Sequence, residues 1–384
     1  MAGRYRVFDS IEQVDLPAWE HVRAAGGSSI FIDPGFMTAV ESSMKQDYRF
    51  WYAIAEEDGG RPAACGALCA MTIDMADVTG QGVASVLRRL PEPLSRIRQL
   101  KGLFCGLPGS PGQNSLAVIS ADALAALDQA IGEVATRAGA DVIVYKEFGN
   151  EELPRMDRLV EFGYRRIPTQ PMHFLKPAFP DFAHYCAALS SNYRKSVNRS
   201  TRKLKPAGAE VKVFTDSDEI LRVYTPEVHA LYYQMVGKAE VNIELLPIEF
   251  FRQLTSRLKG HVELVTIIKE DRIIAIGWCL NVGSAFHLMY AGLDYQLNRE
   301  LDLYFNLMYA ALDRALRSGA AKIHVGQTAS AFKARLGCHA ESLYGYIKGR
   351  GLLMWPLVRF GADLVLSQMP TSPPADIFRK ECGK

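Results

Sequence analysis

The chain repeats itself. The segment Ala135-x-Arg137-x-Gly139-Ala140-x-x-Ile143 recurs as Ala315-x-Arg317-x-Gly319-Ala320-x-x-Ile323. Each copy closes a stretch of helical apolar spacing, 124–138 or 303–318. Each then feeds a short β-rich run, Val142-Ile143-Val144 or Ile323-His324-Val325. Glycine just past a helix, with arginine in the last turn, is sound helix-ending chemistry: glycine enters the left-handed region freely and the cation faces the negative pole. Upstream, each half carries a hairpin signal. Strand-like residues (51–55, 262–268) meet a polar turn (56–60, 269–272) and a second apolar run (61–71, 273–282), with Ala64-x-Gly66 matching Ala275-x-Gly277. Downstream, each half has a short helix ending in Phe162-Gly163-Tyr164 or Leu336-Gly337-Cys338, then a final strand. Three matches in one order predict a duplicated α/β unit.

Composition sets the outer bounds. A 384-residue chain with 48% hydrophobic and 22% charged residues has room for two or three globular domains. A net charge of +2 supplies no bulk attraction for nucleic acid, and no DNA partner is expected. The seven cysteines, at 65, 69, 105, 186, 279, 338 and 382, form no CxxC pair, which predicts free thiols and a cytoplasmic location. Cys65 and Cys69 are four apart with no accompanying His or second Cys pair, so no metal site is expected. The N-terminus lacks the apolar core of a secretory signal, and no run reaches the roughly 18 residues of a membrane span. The most apolar stretch, 351–368, is interrupted by Arg359 and Asp363 and predicts a packed amphipathic helix.

The order helix, hairpin, long helix, strand, short helix, strand resembles the GNAT acyltransferase fold. The tandem arrangement resembles the Fem-like, or FemAB-like, group of double-GNAT transferases. The resemblance spans roughly residues 20–350 and is sharpest at Asn192-Tyr193-Arg194-Lys195, at the 301–317 helix, and at Phe332-Lys333-x-x-Leu336-Gly337, which is similar to the Phe-Lys-x-x-Phe-Gly segment of Fem enzymes. It implies two tandem GNAT-like α/β domains with mixed sheets. The first, 1–176, would be a degenerate copy shaping the acceptor cleft. The second, 177–350, would be catalytic, and 351–384 would form a C-terminal helix and tail. Two departures stand out. No helical-hairpin arm of the kind that several Fem enzymes use around aminoacyl-tRNA is present. The GNAT pyrophosphate loop is replaced by Gln296-Leu297-Asn298-Arg299-Glu300-Leu301.

Candidate site residues follow. Lys333 is either a surface lysine on a short helix or a cation stabilising an oxyanion. Gln327, at the carboxyl edge of a strand, is either a substrate-orienting amide or a loop hydrogen bond. Period two sets His287 opposite Phe286, Leu288 and Tyr290, and with Met289 and Ala291. His287 reads as a general base or a core histidine, and Asp294 as a base or a turn cap. Gly292 suits a bulge or a close backbone approach. Tyr290, Tyr304 and Asn306 line a pocket or the core. The acid-free run 194–205 holds Arg194, Lys195, Arg199, Arg202, Lys203 and Lys205. With Asn192 and Tyr193 before it, the run reads as a solvated face or a dock for an anionic donor. The loop 106–112 has glycines every three residues but no Gly-Lys-Ser/Thr, so it reads as a turn.

The expected reaction is transfer of an acyl or aminoacyl group from a thioester or ester to a small-molecule amine. No tightly bound cofactor is expected; acyl-CoA, an acyl carrier protein or aminoacyl-tRNA would be the co-substrate. Two alternatives stay open: a Fem-like aminoacyltransferase using charged tRNA, and a non-catalytic binding scaffold in which both halves have decayed.

Overall fold

The apolar runs that read as paired strands form hairpins in both halves of the chain. The computed structural model describes residues 4–78, 85, 88, 89, 91, 98–237, 244–351, 354, 355, 358 and 376–379. The chain divides into two units. Unit 1 is Met1–Gln170, Val241–Arg257 and Ser342–Pro370; unit 2 is Pro171–Glu240, Leu258–Glu341 and Thr371–Lys384. Residues 241–257 of unit 1 lie inside the span that the sequence assigns to the second domain.

In unit 1, β1 (Tyr5–Phe8), β2 (Arg49–Glu56), β3 (Pro62–Asp74) and β4 (Gln99–Cys105) are antiparallel neighbours in that order, with β5 (Leu116–Val118) on β3. β6 (Val142–Phe148) runs parallel to β4. The connecting helix Ala121–Ala138 starts on Ser120, whose side chain accepts from the Ala123 N–H, and ends at Gly139 with φ 65°. Its Leu124, Leu127, Ile131 and Val134 pack against Trp51, Leu68, Leu103 and Ile143. Full burial of side chains of this size contributes about 1.5–3 kcal/mol each.

Unit 2 repeats the plan. It takes the last residues of β7 (Arg165–Leu175), with β8 (Ala209–Phe214), β9 (Val262–Lys269), β10 (Arg272–Val282), β11 (Ala285–Leu293) and β12 (Lys322–Gly326). The order is β8-β9-β10-β11-β12-β7, antiparallel except for the parallel pair β11–β12. The helix Leu303–Arg317 lies over this sheet with Leu307, Leu312 and Leu316 buried against Phe286 and Ile323. β3 and β10 therefore hold the same place in their sheets, as duplication requires.

The final strands change halves. Residues 173–175 of β7 follow the first half in sequence but pair antiparallel with β12. Residues 344–349 of β13 (His339–Gly349) follow the second half but pair antiparallel with β6. Hydrophobic patterning specifies a strand; it does not specify which distant edge receives it.

The tail helix and loose terminus expected over 351–384 fall largely outside the described residues; Gly351, Met354, Trp355 and Val358 are described there as helical. Among the described residues, no helix is long and apolar enough to cross a membrane.

Candidate active site

β11 and β12 pair over three residues only, Ala285–His287 against Lys322–His324. Beyond that point β11 bulges. Trp278 of β10 faces Tyr290 while the adjacent Cys279 faces Leu288, which leaves Met289 out of register. The extra residue shifts the side-chain alternation by one. This corrects the faces expected from strict period two: His287 shares a face with Tyr290, and Ala291 joins Phe286 and Leu288 against the core. The bulge is at Met289. Gly292 instead serves a close approach, because a Cβ there would lie 2.5 Å from the Tyr232 nitrogen of the helix Pro226–Val236.

Lys333 sits where the strands part. β12 ends at Gly326 with φ 84°, and the short helix Ser330–Arg335 follows. Phe332 wedges between the rings of Tyr304 and Phe305, with centroids 5.2 and 5.0 Å away, and fixes the rotation of this helix. Lys333 is only 3% exposed. It is not a surface lysine. Its Nζ comes within 3.3 Å of the point that a Cβ on Gly326 would occupy, and the Leu288 carbonyl oxygen is 3.9 Å from that same point. No ion pair or hydrogen bond reaches this ammonium among the described residues. Burial pushes its pKa down to about 7, opposed weakly by the Cys338 thiol.

A second base arrives from β7. His173 is 2% exposed, and its Nδ1 is 3.2 Å from the Gly326 carbonyl oxygen. Burial first, then the Lys333 charge, lowers its pKa. Sequence reading misses His173 because only the β7–β12 pairing brings it here. Leu175, Leu288, Met308, Leu312, Val325 and Cys338 help enclose a void of about 10 Å³ in the adjoining core.

The other candidates are placed as follows. Gln327 is half-buried directly beyond β12. His287 stacks on His324 with centroids 4.5 Å apart. Burial lowers both histidines, to about 3 and about 4, so both are neutral and weakly basic at pH 7. The His324 Nδ1 finds no hydrogen-bond partner among the described residues. Asp294, at the far end of β11, accepts from the Gln296 N–H at 3.0 Å and from Arg272 at 2.9 Å. The buried Asn306 amide donates to the carbonyls of Ser200 and Leu301 at 3.0 and 2.7 Å. Tyr304 is pushed up to about 12 by burial. Tyr290 meets the Tyr232 ring edge-on at 5.9 Å. The structure thus groups Lys333 with Gly326 and His173, leaves Gln327 next along the chain from Gly326, and sets Asp294 and Asn306 in local hydrogen-bond roles elsewhere.

The basic segment forms the helix Ser191–Thr201, which buries Val197 and Ser200. Asn192, Lys195, Arg199 and Arg202 are exposed, while Tyr193 and Arg194 are half-buried. Lys203 is neutralised by Asp302 at 2.9 Å, and Arg194 reaches the Ala187 carbonyl. Lys195, Arg199 and Arg202 have no ion-pair partner among the described residues. Beside them Thr201, Arg202, Lys205 and Pro206 line an open depression of about 540 Å³.

Solved structures share this architecture at low identity. The C-terminal domain of a putative lysylphosphatidylglycerol synthetase from Agrobacterium fabrum has a TM-score of 0.52 at 10% identity, covering 94% of this chain and 100% of that one. FemX has a TM-score of 0.54 at 12% identity, covering 89% and 98%. A tandem GNAT protein from the clavulanic acid biosynthesis pathway has a TM-score of 0.53 at 11% identity, covering 91% and 99%. These likenesses show the fold, a tandem GNAT-like α/β architecture. No curated protein matches the sequence. Fold and family together support an acyl- or aminoacyltransferase kind of function. The profile of the FemAB-like family, described as peptidoglycan biosynthesis/recognition, matches residues 109–346, and the chain belongs to that family.

Proposed function

We propose that the protein is an N-acyltransferase working where β11 and β12 part. One observation carries this reading: Lys333 is buried at the strand split, beside a bulge, with no counter-ion among the described residues. An uncompensated buried amine is costly to keep, and a site that develops negative charge gives it a purpose. The donor carbonyl enters the gap. The acceptor nitrogen attacks the carbonyl carbon and the C–N bond forms. The C–S or C–O bond of the donor then breaks toward the leaving atom, which takes the amine's proton. With a pKa near 7, Lys333 is balanced between its two forms. A developing oxyanion favours the protonated form, so the charge is recruited as it is needed. His287 is too weak a base to be assigned the proton transfer, and Asp294 is engaged by Arg272 and a helix cap. Gln327 is assigned to orienting the donor. Lys195, Arg199 and Arg202 are assigned to its anionic portion. No tightly bound cofactor is required; acyl-CoA, acyl carrier protein or aminoacyl-tRNA would be a co-substrate.

A second reading, a Fem-like aminoacyltransferase using charged tRNA, is supported by the exposed cations Lys195, Arg199 and Arg202, which have no ion-pair partner among the described residues. Radiolabelled acyl-CoA, acyl carrier protein and aminoacyl-tRNA pools, each incubated with the protein and an amine mixture, separate the readings. Transfer from none of the three leaves the binding-scaffold reading.

A further inference from the structure

We infer that the acyl group taken at the strand split is uncharged and apolar, a short fatty acyl rather than an aminoacyl group; this rests on the transferase reading above. Among the described residues, the side chains that bear electrically on Lys333 are His173, a base, and Cys338, a buried thiol. No carboxylate among the described residues reaches its ammonium. The neighbouring space is apolar. The Leu288 carbonyl oxygen lies 3.9 Å from the point that a Cβ on Gly326 would occupy, and Leu288 and Cys338 both line the void that Leu175, Met308 and Leu312 help enclose.

The chemistry of an aminoacyl group conflicts with this setting. Its α-ammonium is two bonds from the carbonyl carbon. With Lys333 on the carbonyl oxygen, the two ammonium groups would stand ~5 Å apart. Neither would have a carboxylate, and burial would leave their repulsion poorly screened. A methyl group in the same place meets leucine and methionine. A void of about 10 Å³ is close to one water-sized sphere, so the matching chain is short. In the transfer the C–N bond forms, the C–S or C–O bond breaks toward the leaving atom, and that atom receives the amine's proton. The acyl chain itself is unchanged.

Propionyl and glycyl groups differ by a methyl in place of an ammonium. Hydrolysis-resistant ketone analogues of both, carried on coenzyme A and separately on carrier-protein phosphopantetheine, are titrated calorimetrically into the full chain. The propionyl analogue should bind about a hundredfold tighter at pH 6, where Lys333 is protonated, and the ratio should shrink toward pH 8.5. In Lys333→Met, with folding confirmed by its melting curve, the ratio should fall to within about threefold. Equal affinity, a tighter glycyl analogue, or transfer from glycyl-tRNA with neither analogue bound overturns the inference and leaves transferase activity standing. Binding of neither analogue, with no transfer from any donor, removes the transferase reading and the inference with it.

Discussion

The imidazoles of His287 and His324 stack 4.5 Å apart and 3° from parallel, at directly paired positions of β11 and β12. Burial, then the neighbouring His324 and Lys322 charges, holds His287 near 3; burial, then Lys322, holds His324 near 4. In the unfolded chain both titrate near 6.5. Between those values the unfolded state binds protons that the folded state refuses. The pair therefore leaves stability unaffected above pH 6.5 and lowers it as pH falls toward 4. At pH 5 each histidine should cost about 2 kcal/mol. Urea unfolding of His287→Leu at pH 5 and 7.5 should show an acid loss about 2 kcal/mol smaller than the parent's, the remainder coming from His324, His229 and the other groups that titrate in this range. An identical acid loss in parent and variant would rule out the stacked pair as its source.

Lys333 carries the opposite window. Its pKa is about 7 when folded and near 10.5 when unfolded. Between them the unfolded chain is protonated and the folded chain is not, so stability rises with pH from 7 to 10.5. Below pH 7 the full deficit, up to about 5 kcal/mol, is present. Lys333→Met should be more stable than the parent at pH 6, with the gap closing by pH 10. A variant less stable than the parent at pH 6 would show that the ammonium has a partner.

Turnover should respond to the same substitution in the other direction. Lys333→Met keeps the stem and removes the charge from the transition state. A lost charge-assisted contact of about 2–4 kcal/mol predicts a kcat roughly thirty- to a thousandfold lower. Lys333→Arg should restore little, because a planar fork does not replace a point charge in a closed site. A kcat within about threefold of the parent for Lys333→Met takes this lysine out of the mechanism.

The exposed cations of the Ser191–Thr201 helix and its C-cap make an ionic-strength prediction. Replacing Lys195, Arg199 and Arg202 with Ala should raise the donor KM, flatten its salt dependence and leave kcat nearly unchanged. Loss of melting temperature without any change in KM would assign them to a solvated face.

What the sequence determined was local and repeated. Gly139 and Gly319 stop their helices with φ of 65° and 76°, and the two hairpins occupy matching places in their sheets. The short helix carrying Lys333 follows its strand, as the apolar spacing requires. Helix ends, hairpins and amphipathic faces depend on residues a few positions apart, so one copy of the repeat confirms the other. What the tertiary structure alone decided depends on pairing over long separations. The bulge at Met289 moved Ala291 off the His287 face. The pairing of β7 with β12 brought His173 to Gly326, about 150 residues away. Burial then turned Lys333 from a surface cation into an enclosed amine with no counter-ion among the described residues. The cost of burying a charge is a property of everything packed around it, and no window of sequence contains those neighbours.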